Sequence, residues 1–263
     1  MNILILMAGA GSRFEQVGYP LPKPLIEVND KHIIEWTTRS LPFIDHYNSQ
    51  SKQKIIFAIR QKDEDNFQIT KRLTKIYGKK IDFKVFDNLT KGNLETAFLS
   101  LNKFSNIHHK EDLLILDSDN YYDGSNLINF INILKLKHNL FSAICDFDPI
   151  DNSAKWCFAI KNGDRVNKLV EKDNQALLQG GKPMVGVFYF SQIQLFKRVA
   201  EYILNQKIEY EKEKKEVYMS QSVQKCIDLN IPVYGLNVKN VIPLGTPEDI
   251  VNLKDKEFIK FSK

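Results

Sequence analysis

The stretch "NILILMAGAGSRF", residues 2–14, decides how this chain of 263 residues is read. Ile3–Met7 is a short apolar run, the pattern of a strand buried in a sheet. Gly9 and Gly11 follow it at once. Without side chains there, the backbone amides from Ala8 through Ala10 to Gly11 can approach an anion closely. Ser12 adds a hydroxyl donor, and Arg13 adds a planar fork of donors suited to phosphate oxygens. A dinucleotide-binding loop would need a third small residue where Phe14 stands. It would also need a helix starting immediately, although Pro20, Pro22 and Pro24 lie ahead. A Walker loop is excluded because no Gly-Lys-Ser/Thr follows. Taken alone, the Gly-x-Gly fits an ordinary strand-to-loop turn equally well.

Outward from this loop, short apolar runs alternate with longer amphipathic stretches. The pattern predicts strands at Ile3–Met7, Lys54–Ile59, Phe83–Phe86, Leu113–Leu116, Phe141–Asp146, Trp156–Ile160, Val166–Glu171, Val185–Phe190 and Val233–Val238. It predicts helices at Ile33–Leu41, Asp63–Tyr77, Asn93–Phe104, Leu127–Lys137, Ile193–Asn205, Tyr218–Leu229 and Pro247–Lys256. The first half has the strand–helix rhythm of a parallel sheet covered on both faces. After about residue 140 the strands crowd together, and Asn162-Gly163-Asp164 signals an antiparallel hairpin added to a mixed sheet. The expected fold is α/β, a three-layer Rossmann-like unit with a central mixed, mostly parallel sheet. With no repeat, low-complexity tract or linker, one domain is expected over 1–263. Within it, residues 1–140 form one half, 141–245 a second, and 246–263 a terminal helix. Ligands of such sheets bind beyond the carboxyl ends of the strands, so the loops there are where chemistry is sought.

Composition narrows the class. The chain is 43% hydrophobic and 26% charged, with a formal charge of +5, and this balance suits a polyanionic ligand. The lysines are dispersed, and no basic stretch interleaved with aromatics marks a nucleic-acid face. No stretch reaches the roughly 18 apolar residues of a membrane span, and a cytoplasmic protein is expected. Cys145, Cys157 and Cys226 lack both disulfide and metal spacing, which fits a reducing compartment. His108-His109 reads as a solvated loop, and the mixed charge run Glu209–Glu216 as a solvated helix end or loop.

The stretch "GYPLPKPLIEV", residues 18–28, strengthens the first loop. Lys23 stands between Pro22 and Pro24, and each proline stiffens the backbone beside it. An ammonium is thus presented on a rigid segment ten residues beyond Arg13. Together, Gly-x-Gly-Ser-Arg-Phe and Pro-Lys-Pro-Leu resemble the sugar-1-phosphate nucleotidylyltransferases. That family transfers a nucleoside monophosphate from an NTP to a phosphorylated acceptor and releases pyrophosphate. The resemblance implies that Ala8, Gly9, Ala10, Gly11, Ser12 and Arg13 hold the triphosphate and that Lys23 meets the phosphate at the reacting centre. Arg13, Lys23 and Asp119 are then the catalytic candidates.

Further stretches carry the resemblance along nearly the whole chain. "TKGNLETA", residues 90–97, is similar to the segment that contacts base and ribose, with Gly92 leaving room for a base edge. Its other reading is a helix start capped by Thr90 or Asn93. "LLILDSDNYY", residues 113–122, ends a buried strand in two carboxylates. Oxygen ligands beside phosphate suit Mg²⁺, and the resemblance gives Asp119 as metal ligand with Asp117 as a second candidate. "LVEKD", residues 169–173, implies acceptor contacts from Glu171 and Lys172. "VGVFYF", residues 185–190, implies that Gly186 lets the acceptor pack close. "LGTPED", residues 244–249, predicts a helix capped by Thr246, but Leu244 stands where many members carry a second metal-binding aspartate. The implied substrates are an NTP and a phosphorylated small molecule, used for activated precursors of surface glycans, with a homo-oligomer compatible with these features. A glycosyltransferase of the same architecture is the rival that Asp117-Ser118-Asp119 suggests, and a nucleotide-sensing relative without catalysis is the one that Leu244 suggests.

Overall fold

The computed structural model describes residues 1–44, 54–206 and 216–253. Its centre is a nine-stranded sheet. In sequence order these strands are β1 (Asn2–Leu6), β4 (Ile55–Arg60), β5 (Ile81–Phe86), β6 (Leu113–Asp117), β8 (Ser142–Asp146), β9 (Cys157–Asn162), β10 (Arg165–Glu171), β11 (Lys182–Phe190) and β12 (Val233–Asn237). In space they lie in the order β5-β4-β1-β6-β11-β8-β12-β10-β9. The pairs β5–β4, β4–β1, β1–β6 and β8–β12 are parallel. β11 runs antiparallel to both β6 and β8, and β9–β10 is the hairpin expected at Asn162-Gly163-Asp164. Strands from both halves of the chain therefore enter one mixed sheet. The small strands β2 (Glu27–Val28) and β3 (Lys31–His32) pair locally, and β7 (Asn120–Asp123) pairs with β13 (Lys239–Pro243). Neither ribbon was visible in the apolar pattern.

Alternation along β1 divides the core. Leu4 and Leu6 face one layer, built from α5 (Asn93–Ser100), α7 (Ile193–Asn205) and α8 (Met219–Asp228). Ile3, Ile5 and Met7 face the other, which receives α2 (Ile33–Arg39), α4 (Ile69–Tyr77) and α6 (Leu127–Lys137). The residues on both faces, Leu4 and Leu6 on one and Ile3, Ile5 and Met7 on the other, are buried, so the strand is covered on both sides, as its unbroken apolar run requires.

Two helical expectations change. Asp63–Tyr77 is not continuous: α3 (Gln61–Phe67) ends at Gln68, whose φ of 50° is left-handed, and α4 begins after it. The Glu64 carboxylate accepts from Thr70 N (2.9 Å) and Oγ1 (2.7 Å), so a side chain caps the second helix where the backbone ladder breaks. A helix does start at once behind the glycine loop, α1 (Ser12–Gln16), but it is only five residues long. The terminal helix α9 is described over Pro247–Leu253. Its predicted continuation to Lys256, and the charge run except Glu216, lie outside the described residues.

A buried ion pair ties β8 to the hairpin. Asp146, fully buried, receives Lys161 Nζ and, at 3.0 Å, Asn237 Nδ2. Gly235 makes room for it, since a Cβ there would lie 2.5 Å from Asp146 Oδ2. Removing one partner of such a pair leaves an uncompensated charge. Lys161→Met is therefore expected to cost about 3–5 kcal/mol in urea unfolding, and adding Asp146→Leu should recover most of it. An unchanged midpoint for Lys161→Met would show that the carboxylate does not depend on this lysine.

Candidate active site

Two cavities meet at the end of β6. The first, about 700 Å³, is lined by the loop Ala8–Gly11, the Lys23 segment, Arg60 at the end of β4, and Thr90–Asn93. The second, about 360 Å³, is lined by Arg13, Glu171, Lys172 and Gly186 among others. Asn93, Asp117, Asp119 and Glu216 border both. These volumes are in the range of small-ligand sites.

At the junction Lys23 Nζ donates to Asp119 Oδ2 at 2.7 Å, with each side chain about one-fifth exposed. The rigidity read from Pro22-Lys23-Pro24 takes the form of a 3-10 turn, Lys23–Leu25, anchored by buried Pro24 and Leu25. Gly11, left-handed at φ 64°, lies against this lysine, and a Cβ on it would sit 3.8 Å from Lys23 Cβ. A Cβ on Gly9 would meet nothing within 4 Å, so the loop faces open space at that point. Asp117 lies beside the ion pair. Burial and then the Asp119 charge push its carboxyl up to about 7, against the opposing pull of Lys23 and a hydrogen bond from Asn93.

The sequence-expected residues divide between the cavities. Ala8, Gly9, Ala10, Gly11, Lys23 and Gly92 border the first, and Glu171, Lys172 and Gly186 the second. Arg13, expected with the triphosphate loop, lies on α1 and borders the second cavity instead of the first. Ser12 is exposed on α1 and is not among the residues lining either cavity.

Two glycine explanations also change. The room left by Gly92 is filled by the protein itself: a Cβ there would lie 2.3 Å from the carbonyl oxygen of Val217. Gly186 likewise makes room for Asp117, whose Oδ2 would be 2.2 Å from an added Cβ, at a point where β11 slips register against β8. Gly92 takes the cap position of α5 without any side-chain cap; Thr90 bonds Gly92 O and Asn93 bonds Met219 N. The cap expected of Thr246 is present, with Asp249 N donating to its Oγ1 at 3.2 Å and its own N donating to Asp249 Oδ2 at 2.9 Å.

Leu244 has a packing reason. It is fully buried in a satellite cluster with Phe14, Ile26 and Trp36, and its N–H donates to Asp119 O at 2.8 Å. Leu244, which departs from the expected motif, thus packs in the same cluster as Phe14, which belongs to the motif of the first loop. Among the described residues no group of three or more acids, histidines or cysteines could hold a metal.

Sequence reasoning missed several lining residues. Arg60 is held by Asp63 in a bidentate pair at 3.0 and 2.8 Å, and Lys155 pairs with Asp249 at 3.1 Å. Tyr218 meets Lys172 and Ser220 meets Glu171. None of these carries a local motif; each is brought in by strand or helix packing.

The free aspartate side chain titrates near 3.8, so folded protein keeps the Asp117 proton over a range where the unfolded chain has lost it. Its contribution to stability is full below about pH 4 and falls as the pH rises to about 7. In chelator-containing buffer, Asp117→Asn should gain on the parent protein by roughly 1–4 kcal/mol between pH 4 and pH 8 in denaturant titrations. A gap independent of pH would return this carboxyl to the ordinary range. Gly186→Ala should separate β11 from β6 and lower the melting temperature by several degrees, roughly the effect of 1–3 kcal/mol of overpacking; an unchanged melting temperature would refute the close approach.

A family model described as nucleotidyl transferase matches residues 2–234. The chain is similar to the D-glycero-alpha-D-manno-heptose 1-phosphate guanylyltransferase of Campylobacter jejuni, with 22% identity over 258 residues covering 95% of this chain and 96% of that protein. In fold it is similar to a nucleoside-diphosphate-sugar pyrophosphorylase from Vibrio cholerae RC9 (TM-score 0.76, 19% identity, 95% of this chain and 98% of that one). It is also similar to the inositol-1-phosphate CTP transferase from T. maritima (TM-score 0.65, 15% identity, 97% and 96%). With the match running from β1 into β12 and over the whole β6 junction, the chain belongs to the nucleotidyl transferase family and is a nucleotidyltransferase.

Proposed function

We propose that the protein transfers a nucleoside monophosphate from an NTP to a sugar phosphate or similar phosphorylated acceptor, releasing pyrophosphate, in an Mg²⁺-dependent reaction that supplies activated precursors of surface glycans. The observation that carries this reading is the Lys23–Asp119 pair at the junction of two separate cavities. One cavity is bordered by a glycine loop fit for a polyphosphate and the other by Lys172 and Arg13. Relatives named for heptose 1-phosphate and inositol 1-phosphate support a sugar or polyol phosphate as acceptor.

An acceptor phosphate is already ionised, so the chain need supply no general base and no covalent intermediate. An acceptor oxygen attacks the α-phosphorus in line, the bond to the β-phosphate oxygen breaks, and pyrophosphate carries away the electron pair. The obstacle is charge. Two unit anions about 4 Å apart repel by roughly 4 kcal/mol at an effective dielectric near 20. Lys23 has three N–H donors, so one can remain on Asp119 while others reach phosphate oxygens. Lys172 and Arg13 face the acceptor phosphate from the second cavity. Catalysis is then positioning and charge neutralisation.

Asp119 and Asp117 would hold the metal. Burial and then the Asp119 charge raise the Asp117 pKa, and a bound cation would relieve that repulsion. Bound Mg²⁺ supplies positive charge to the phosphates and is satisfied by one or two carboxylates with water and phosphate oxygens. Leu244, packed in its apolar cluster, contributes nothing to that shell.

A pyrophosphate-release screen of GTP, CTP, UTP and dTTP against sugar 1-phosphates and inositol phosphates tests the reading; release that needs no acceptor would overturn it. Lys23→Ala should lower kcat about 100-fold or more with a modest change in NTP affinity, and unchanged kcat would remove Lys23 from the reacting centre. Asp119→Asn should abolish Mg²⁺-dependent turnover, and retained activity with the same Mg²⁺ dependence would free Asp119 of that role.

A further inference from the structure

Glu216–Ser220 runs between the two cavities and is fastened on both sides. Toward the first cavity, Val217 N donates to Lys91 O at 3.0 Å, Leu94 N donates to Val217 O at 3.2 Å, and Met219 N donates to Asn93 Oδ1 at 2.8 Å. Gly92 presses so closely on Val217 that a Cβ would collide with its backbone. Toward the second cavity, the same segment holds the pair Glu171-Lys172. Ser220 Oγ donates to a Glu171 oxygen, and Lys172 Nζ donates to Tyr218 OH while lying 4.2 Å from the Tyr218 ring centroid. Lys172 itself has a left-handed backbone, φ 52°, with its N–H on Trp156 O at 3.0 Å.

A lysine ammonium is a strongly hydrated point charge on a four-carbon stem. Lys172 is exposed, and without partners it would sample many rotamers, so that ordering it costs conformational entropy. An aromatic face and a hydroxyl at one end, with a fixed backbone at the other, restrict Lys172 before any ligand arrives. The geometry points to Tyr218 as a positioning residue that holds the Lys172 ammonium ready for an acceptor phosphate, and to the Val217–Gly92 contact as the clamp that sets Tyr218 from the nucleotide side. This rests on the reading of Lys172 as an acceptor-phosphate ligand.

The probe is inorganic phosphate, titrated by 31P NMR into the full chain, with melting temperature recorded for each variant. Lys172→Ala is expected to weaken phosphate binding about tenfold. Tyr218→Leu should come close to that loss, and Tyr218→Phe, which keeps the ring, should lose roughly threefold. In the Lys172→Ala background Tyr218→Leu should add nothing, because it acts through the lysine. If Lys172→Ala binds phosphate like the parent protein, the underlying reading of Lys172 fails. If Lys172→Ala weakens binding but Tyr218→Leu does not, or if the two losses simply add, the positioning role of Tyr218 fails. Should Tyr218→Leu not fold, Tyr218→Phe decides: binding equal to the parent with an unchanged melting temperature overturns the role, and a loss that vanishes in the Lys172→Ala background upholds it.

Discussion

Two carboxylates one residue apart at the end of a buried strand repel each other, and the surroundings of β6 are arranged around that repulsion. Lys23 meets Asp119, Asn93 hydrogen-bonds Asp117, and Gly186 leaves the space in which the Asp117 carboxyl sits. Burial, and after it this repulsion, still push the Asp117 carboxyl up to about 7. Two carboxylates held this close are costly for the folded chain alone, and perturbed carboxylates of this kind gather at functional sites.

The same junction explains why the two halves of the chain share one sheet. β11 crosses beside β6, so strands of the second half stand next to strands of the first. Asn93 then acts as a hub: its side chain contacts Asp117 and also accepts from Met219 N. Through Val217, Tyr218 and Ser220 that link continues to Glu171 and Lys172. A ligand bound on one side therefore meets a frame already fixed by the other.

Two glycines that read as openings for a ligand are close contacts within the protein: Gly92 admits Val217 and Gly186 admits Asp117, as Gly235 admits the Asp146–Lys161 pair. Gly9 differs, because its missing side chain leaves open space. Sequence alone shows that a side chain is absent; only neighbouring strands and loops show what occupies the vacancy.

The order of elements, the buried parallel strands, the hairpin at Gly163 and the pairing of a glycine loop with a braced Lys23 were legible in the chain, because each rests on local periodicity or on the fixed backbone of proline and glycine. The break at Gln68 and the ribbon of β7 with β13 were not. The break depends on the nearby Glu64 carboxylate capping Thr70 and on a left-handed residue, neither of which apolar periodicity records. The ribbon depends on a partner more than 100 residues away. The same holds for the site. Lys23, Asp119, Glu171 and Lys172 could be picked out one by one from their motifs. That Arg13 borders the second cavity, that Leu244 is a packing residue and that Tyr218 lies on Lys172 were decided by the tertiary structure, because the second cavity, the Phe14–Leu244 cluster and the Val217 clamp are built from segments far apart in the chain.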